Sequence, residues 1–195
     1  MVLAWVITAM NSLPGETNIV RKMDLFNYYG DFLLLPLILL GDFYFILDYY
    51  SFDLSVLVCF IAGILFYGSI MEYGFHRYVY HGKIKKINKL HLIHHKLPKA
   101  YISSPPYVTA IIMFILHLLF INLMGYKLGC AFVGGIAFGY LWYITIHHLI
   151  HHVSYEGSKV LNYFKIEHQQ HHNHAKLNYC VSQPFWNTIY RKLDK

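Results

Sequence analysis

The sequence predicts an all-α integral membrane protein, four transmembrane helices with a histidine-rich helical cap on the cytosolic side. Three observations lead there. Hydrophobic residues make up 56% of the 195 residues and charged residues only 13%, half of the roughly 25% usual in a soluble domain. Apolar stretches long enough to cross a bilayer recur along the chain. Thirteen of the fourteen histidines fall in two polar segments, 76–95 and 147–174, which leaves His117 alone.

Residues 1–30 read as an N-terminal interfacial segment. An apolar start without a basic n-region ends at Pro14-Gly15, and IVRKMDLFNYYG then has the pattern of a helix lying on the bilayer surface. Residues 31–195 form one membrane domain. Its first span is 31–47, DFLLLPLILLGDFYFIL, interrupted by Pro36, Gly41 and Asp42. After the turn DYYSFD comes the second span, 54–73, whose uncharged stretch LSVLVCFIAGILFYGSIM is expected to continue as helix into the first histidines. Segment 74–104 is the first half of the cap and closes at Pro105-Pro106. The third span, 107–125, contains His117; the Tyr126-Lys127 turn leads to the fourth, 128–146. In that span Gly135 and Gly139 have the small-xxx-small spacing that lets membrane helices approach closely. Residues 147–195 are the second half of the cap.

Charge tests this topology. Four crossings put the N-terminus, 74–104 and 147–195 on one face, and those regions hold fifteen of the sixteen Lys and Arg residues, Lys127 being the exception. Positive charge gathers on the cytosolic side of membrane proteins. The formal charge of +6 is thereby accounted for without a nucleic-acid partner. Cys59, Cys130 and Cys180 are scattered and odd in number, so no disulfide framework is expected. The 107–146 hairpin also returns both histidine segments to one membrane surface.

The histidines come in a repeated pattern: HRYVYH at 76–81, HLIHH at 91–95 and again at 148–152, HQQHH at 168–172. On a helix, positions i, i+3 and i+4 share an arc of about 100°. Such spacing aims imidazoles at one point, and imidazole suits iron, zinc, copper or nickel. The candidate ligands are His76, His81, His91, His94, His95, His147, His151, His168, His171 and His172, too many for one ion and enough for two. His148 and His152 stay in reserve, because that pair has the same i, i+4 spacing as His147 and His151. Within HRYVYH the two rings stand about 140° apart on an ideal helix, so Gly82 is expected to stop the helix and let His81 turn inward. Glu72 and Glu167, close to His76 and His168, are expected to orient rings.

Neutral imidazoles beside lipid, with positions open to dioxygen, point to two iron ions oxidising a C–H bond of an acyl chain; zinc fits the same ligands. Two plainer readings compete. A metal-sequestering loop needs no fixed spacing, and a transporter needs ionisable groups along its spans, where only Asp42 and His117 are available. His117 is therefore kept outside the site as a packing residue. Trp142, Tyr143 and Trp186 are conceivable lining, with interfacial anchoring the plainer role.

The order FHRYVYH, LHLIHHKLP, PP, YITIHHLIHH, EHQQHH resembles the histidine boxes of the fatty acid hydroxylase superfamily, which includes sterol desaturases and sterol methyl oxidases. It is most similar to the fatty acid 2-hydroxylase branch, from about residue 70 to residue 192. The resemblance implies a di-metal centre held by the ten histidines, O2 as cosubstrate, and hydroxylation of a fatty acid or sphingolipid-type acyl chain at C2. Sterol-type desaturation or methyl oxidation is the alternative. No His-Pro-Gly-Gly haem signature occurs, so the electron donor is expected to be a separate protein of the cytochrome b5 or ferredoxin type. The implied location is the endoplasmic reticulum in a eukaryote and the inner membrane in a bacterium. NYCVSQPFWN is similar to the family's Thr-Ser-x-x-Trp-Asp stretch but departs from it at Tyr179, Cys180 and Asn187, which leaves the substrate open.

Overall fold

The computed structural model describes residues 18–153 and 157–193, with side chains from Leu25 to Lys192. Among them every regular element is helical. The apolar start and Pro14-Gly15 lie outside the described residues.

Helix α1 is Asn18–Tyr49, and no break separates an interfacial piece from a span at residue 31. Gly30 does not act as a breaker there: it lies so close to Pro106 that an added Cβ would stand 2.1 Å from the proline ring. Among the residues with described side chains, the apolar helical stretch Leu25–Tyr49 includes residues before 31. Pro36 removes one backbone hydrogen bond, a cost that packed membrane helices tolerate. Asn27, Asp31, Leu35, Asp42 and Ile46 form a buried stripe along α1. On its other face Leu33 is 73% exposed and Leu40 67%. Apolar surface of that extent suits lipid, not water.

Asp53 caps helix α2, Leu54–Phe66, its Oδ1 accepting from the Val56 amide at 3.2 Å. The helix then widens without a break into π-helical turns over Tyr67–Gly74 and His76–Tyr80. Helix α3 is Lys85–Lys96. Helix α4, Pro106–His152, is really two arms, since Gly125 takes φ 78° and ψ 165°, a conformation open to glycine alone. The chain reverses there, and Gly129 packs on the backbone of Ile121. Near this turn Lys127 Nζ meets Asp53 Oδ2 at 2.6 Å, so the turns at 50–53 and 125 sit at the same end of the molecule. Helices α5, Lys159–Asn173, and α6, Phe185–Leu193, complete the cap.

Among the described residues, three helical stretches are long and apolar enough to cross a membrane: Leu25–Tyr49, Leu54–Tyr80 and Pro106–His152. The third doubles back at Gly125. Because lipid offers no hydrophobic force between helices, their contact depends on close fit and polar links. Gly63 and Gly135 supply the fit: a Cβ on either would stand 2.0 Å from a carbonyl oxygen of the other helix, Phe132 or Phe60. Gly139 meets the Tyr67 side chain, so the small-residue face of the second arm is used. Two buried carboxyl groups link α1 to α4. Asp31 Oδ2 accepts from Thr109 Oγ1 at 2.9 Å and from Tyr140 OH at 2.8 Å, while Asp42 Oδ1 lies 2.8 Å from His117 Nε2. The lone intramembrane histidine thus has a packing partner.

Candidate metal centre

Four elements bring imidazoles to one end of the helices: the π-helical turn (His76, His81), α3 (His91, His94, His95), the second arm of α4 (His147, His151) and α5 (His168, His171, His172). The ring nitrogens fall into two groups. His76, His81, His91, His95 and His171 make one, and His94, His147, His151 and His168 the other, with all donor atoms of a group within 4.8 Å of one another. His172 joins the second group at its edge, its Nε2 standing 3.0 Å from that of His168. The groups adjoin where the His95 and His172 rings stack, 4.4 Å apart.

The π-helical turn corrects the expectation about HRYVYH. The His81 amide donates to the His76 carbonyl at 3.0 Å, an i to i+5 bond, so residues five apart share a face. Their rings stack at 5.2 Å. It is the wider helix, and not a stop at Gly82, that brings His81 inward.

Hydrogen bonds at the far side of two rings decide which nitrogen faces in. His76 Nδ1 donates to the Tyr179 carbonyl, and His171 Nδ1 to the Leu177 carbonyl at 2.7 Å. A neutral ring whose Nδ1 carries the proton presents a bare lone pair at Nε2. In the first group His91 Nε2 lies 2.9 Å from those of His76 and His81 and 3.0 Å from that of His95, while His81 Nε2 lies 3.0 Å from that of His171. One nitrogen cannot donate to three others. Lone pairs converge without enough protons between them, which is an arrangement that calls for a cation. In the second group the corresponding separations are 3.1 Å for His147 and His94 and 2.9 Å for His168 and His151. Two ligands at right angles, each about 2.1 Å from an ion, stand about 3.0 Å apart, whereas tetrahedral ligands stand about 3.4 Å apart. The observed spacing matches the first.

Burial supplies the protonation state that a metal requires. Loss of water, reinforced by neighbouring rings, pushes His81 and His172 down to about 4 and His171 to about 3. Burial holds His91, His94 and His168 far below the usual imidazole range. At neutral pH these rings are uncharged ligands.

Geometry separates the two staggered pairs. His147 and His151 join the rings, whereas His148 and His152 face α1 and the α3–α4 connection: Tyr28 OH is hydrogen-bonded to His148 Nδ1 at 3.1 Å, and His152 stacks on Tyr101 at 5.0 Å. Glu72 does not orient a ring. Its carboxyl group accepts from the amides of Val181 and Ser182 and from Ser182 Oγ, the last two at 2.7 Å. Glu167 likewise meets its neighbour Asn178 through its backbone carbonyl, while His168 Nδ1 has no hydrogen-bond partner among the described residues. Of the three aromatic candidates Tyr143 touches the site, stacking on His147 at 5.5 Å. Trp142 donates to the Ser182 carbonyl and Trp186 to Gln183 Oε1.

Sequence reasoning missed segment 177–183. It is buried from Asn178 to Gln183, and besides holding two rings it is tied to Asn187, whose side chain both accepts from and donates to the backbone of Cys180. The departures at Tyr179, Cys180 and Asn187 therefore fall where the tail supports the rings.

The chain is similar in sequence and in fold to known proteins. The chain is 28% identical over 134 residues to dihydroceramide fatty acyl 2-hydroxylase FAH2 of Arabidopsis thaliana, covering 64% of this chain and 56% of that protein. It is 28% identical over 150 residues to ceramide very long chain fatty acid hydroxylase SCS7 of Saccharomyces cerevisiae, covering 70% and 38%. Fatty acid 2-hydroxylase of Macaca fascicularis is 26% identical over 145 residues, covering 69% and 39%. The chain thus spans about half the length of these curated relatives or less. The solved structure of full-length scs7p, with only its hydroxylase domain visible, superposes with a TM-score of 0.70 at 21% identity, over 84% of this chain and 65% of that one, a likeness of fold. The fatty acid hydroxylase family profile matches residues 60–191, a stretch that contains every one of the converging rings. With two thirds of its length matched in this way, the chain belongs to the fatty acid hydroxylase family.

Proposed function

We propose that this chain hydroxylates a lipid acyl chain, of fatty acid or sphingolipid type, at the carbon beside the carbonyl. The observation that carries the reading is the meeting of ten uncharged imidazoles, in two adjoining groups, at the end of helices whose outer faces suit lipid. His76, His81, His91, His95 and His171 would hold one iron ion, and His94, His147, His151, His168 and His172 a second; zinc fits the same donors. Iron bound there would supply O2 activation, with electrons from a separate carrier of the cytochrome b5 or ferredoxin type.

The chain's own part is to aim and to exclude. The Tyr179 and Leu177 carbonyls fix the rings of His76 and His171, and Tyr143 holds that of His147 from the membrane side. In this reading each arm of α4 crosses the bilayer, which makes four crossings, within a catalytic membrane domain of residues 31–195 and an interfacial segment before it. The fifteen basic residues on the histidine side support a cytosolic cap, at the endoplasmic reticulum or a bacterial inner membrane. The names of the three relatives all specify acyl hydroxylation, which favours an acyl chain over a sterol.

Lipid mass spectrometry of cells expressing the chain tests the reading. A new 2-hydroxy species is expected with the wild-type chain and absent with His171→Ala. A lipid profile identical in the two would overturn the hydroxylase reading, and full activity of iron-free protein would overturn the choice of iron.

A further inference from the structure

The last part of the cap runs back down the second apolar stretch. Tyr179 meets His76 through its carbonyl, and from there the contacts descend: Cys180 Sγ donates to the Gly68 carbonyl at 3.3 Å, and Gln183 Nε2 to the Ile64 carbonyl at 3.0 Å. Helix α6 then climbs again, its Tyr190 OH 3.5 Å from the Ser69 carbonyl and its Tyr190 ring stacked on Tyr73 at 3.8 Å. Ile64 stands near the middle of Leu54–Tyr80, eleven residues after Asp53 and twelve before His76. Twelve residues are at most about 18 Å of helix, as deep as the roughly 15 Å of hydrocarbon in one leaflet. The limb that reaches this depth, 178–184, is irregular backbone and buried throughout. Its polar groups find partners inside the protein. The Cys180 amide donates to Asn187 Oδ1 and its carbonyl accepts from Asn187 Nδ2, the Val181 and Ser182 amides donate to Glu72, and the Ser182 carbonyl accepts from Trp142. The Gln183 and Pro184 carbonyls accept from the Trp186 and Asn187 amides. A loop in water needs no such pairing; lipid offers none, so non-helical backbone persists at membrane depth only where protein supplies the bonds.

We infer that residues 177–193 form a re-entrant hairpin, which enters the leaflet on the metal side, lays its buried limb on the second span and turns the outer face of α6 to the acyl chains of phospholipid. The inference rests on the reading in which α2 crosses a bilayer. Phe185 and Ile189, one turn apart on α6, are exposed, with Thr188 between them. Ile61 and Leu65 on either side of the Gln183 contact, and Trp142 on α4, are exposed too, so the apolar surface of the spans continues onto α6. The opposite face of α6 holds Asn187, which is buried. Arg191 and Lys192, exposed in its last turn, stand toward the upper end, where long basic side chains reach headgroup phosphates from an apolar surface. Depth favours lipid over a soluble protein as the occupant, since a partner at the level of Ile64 would itself have to lie in the bilayer. The limb that brings the Tyr179 carbonyl to His76 is thereby wedged between a span and the leaflet.

The test uses the full chain in phosphatidylcholine vesicles, labelled in parallel by a carbene precursor carried on a lipid acyl chain and by hydroxyl radicals generated in the water. Mass spectrometry reads the sites; trypsin, cutting after Lys176 and Arg191, releases 177–191 as one peptide. Ile61 of the second span is the lipid reference. Leu92 on α3, beyond the end of that span and 41% exposed like Ile189, is the water reference. The ratio of carbene to hydroxyl-radical modification at Ile189 is expected to lie within about threefold of that at Ile61 and well above that at Leu92, with Phe185 also taking the carbene, as acyl-chain contact requires. A ratio at Ile189 more than about threefold below that of Ile61 would overturn the inference and return α6 to the water side. Protection of Ile189 from both reagents would overturn it as well and would give this face to another segment or a second copy of the chain. Absence of carbene label from Ile61 itself would instead sink the membrane-crossing reading of α2, and the hairpin with it.

Discussion

Glu72 offers the sharpest test of how the tail holds the rings. Its carboxyl group is 4% exposed and accepts three hydrogen bonds from Val181 and Ser182, two of them from backbone amides. Glu72→Ala removes all three acceptor contacts and leaves two buried amides unpaired. At about 1–3 kcal/mol for each orphaned donor the loss is about 2–6 kcal/mol, a large part of the 5–15 kcal/mol that holds a typical domain folded. The strain falls on segment 179–182, so the Tyr179 carbonyl leaves His76 Nδ1 and the ring is free to turn. Glu72→Gln keeps an oxygen for both amides and asks only Ser182 Oγ to reverse its bond, at a cost of about 0.5–1.5 kcal/mol. Metal content by mass spectrometry and thermal unfolding in detergent read both variants. The alanine variant should lose at least half its metal and unfold many degrees lower, with the glutamine variant close to wild type. An alanine variant with full metal content and an unchanged Tm would refute the latch.

Further expectations follow from the same geometry. His147→Ala and His171→Ala should weaken metal binding by more than about a hundredfold, since even outer partners of ligands are worth about 10–100-fold; His148→Ala and His152→Ala should leave metal content unchanged, and loss of metal in the latter two would reverse the assignment of the staggered pairs. Metal-free protein should lose stability on acidification. The unfolded chain takes up protons below about pH 6.5, while His81 and His172 refuse them until about 4 and His171 until about 3, so the folded state binds fewer protons and its Tm should fall between pH 7 and 4; a flat profile would contradict buried neutral rings. His117→Ala strips Asp42 Oδ1 of its partner beside an already unpaired Oδ2, which should cost about 0.6–2 kcal/mol of stability with no change in bound metal.

What the sequence revealed was local. Histidine spacing and hydropathy need only neighbours a few residues apart to be read, and they located the cap, the apolar helices and the rings that converge. Three features escaped because their causes lie elsewhere in the chain. Either staggered pair satisfies i, i+4; Tyr28 and Tyr101, from other elements, occupy one side and so separate them. A π-helical turn has no compositional mark, so HRYVYH looked like a helix that had to stop. Glu72 sits one turn from His76 in sequence, yet its partners are Val181 and Ser182, more than a hundred residues away. Gly30 is a further long-range case: its lack of a side chain admits Pro106, a residue far along the chain.

The first ring group draws its members from residues 76 to 171, and the second from residues 94 to 168 with His172 at its edge. A ribosome therefore releases the early histidines long before their counterparts exist, and a growing chain owns no finished donor set until α5 has emerged. By then both apolar arms of α4 are already made. On the proposed reading of a two-ion centre above a membrane hairpin, capture of the ions would come after insertion and could not guide it, so a chain whose hairpin went in wrongly would be left with half-sets of imidazoles and nothing to fasten them.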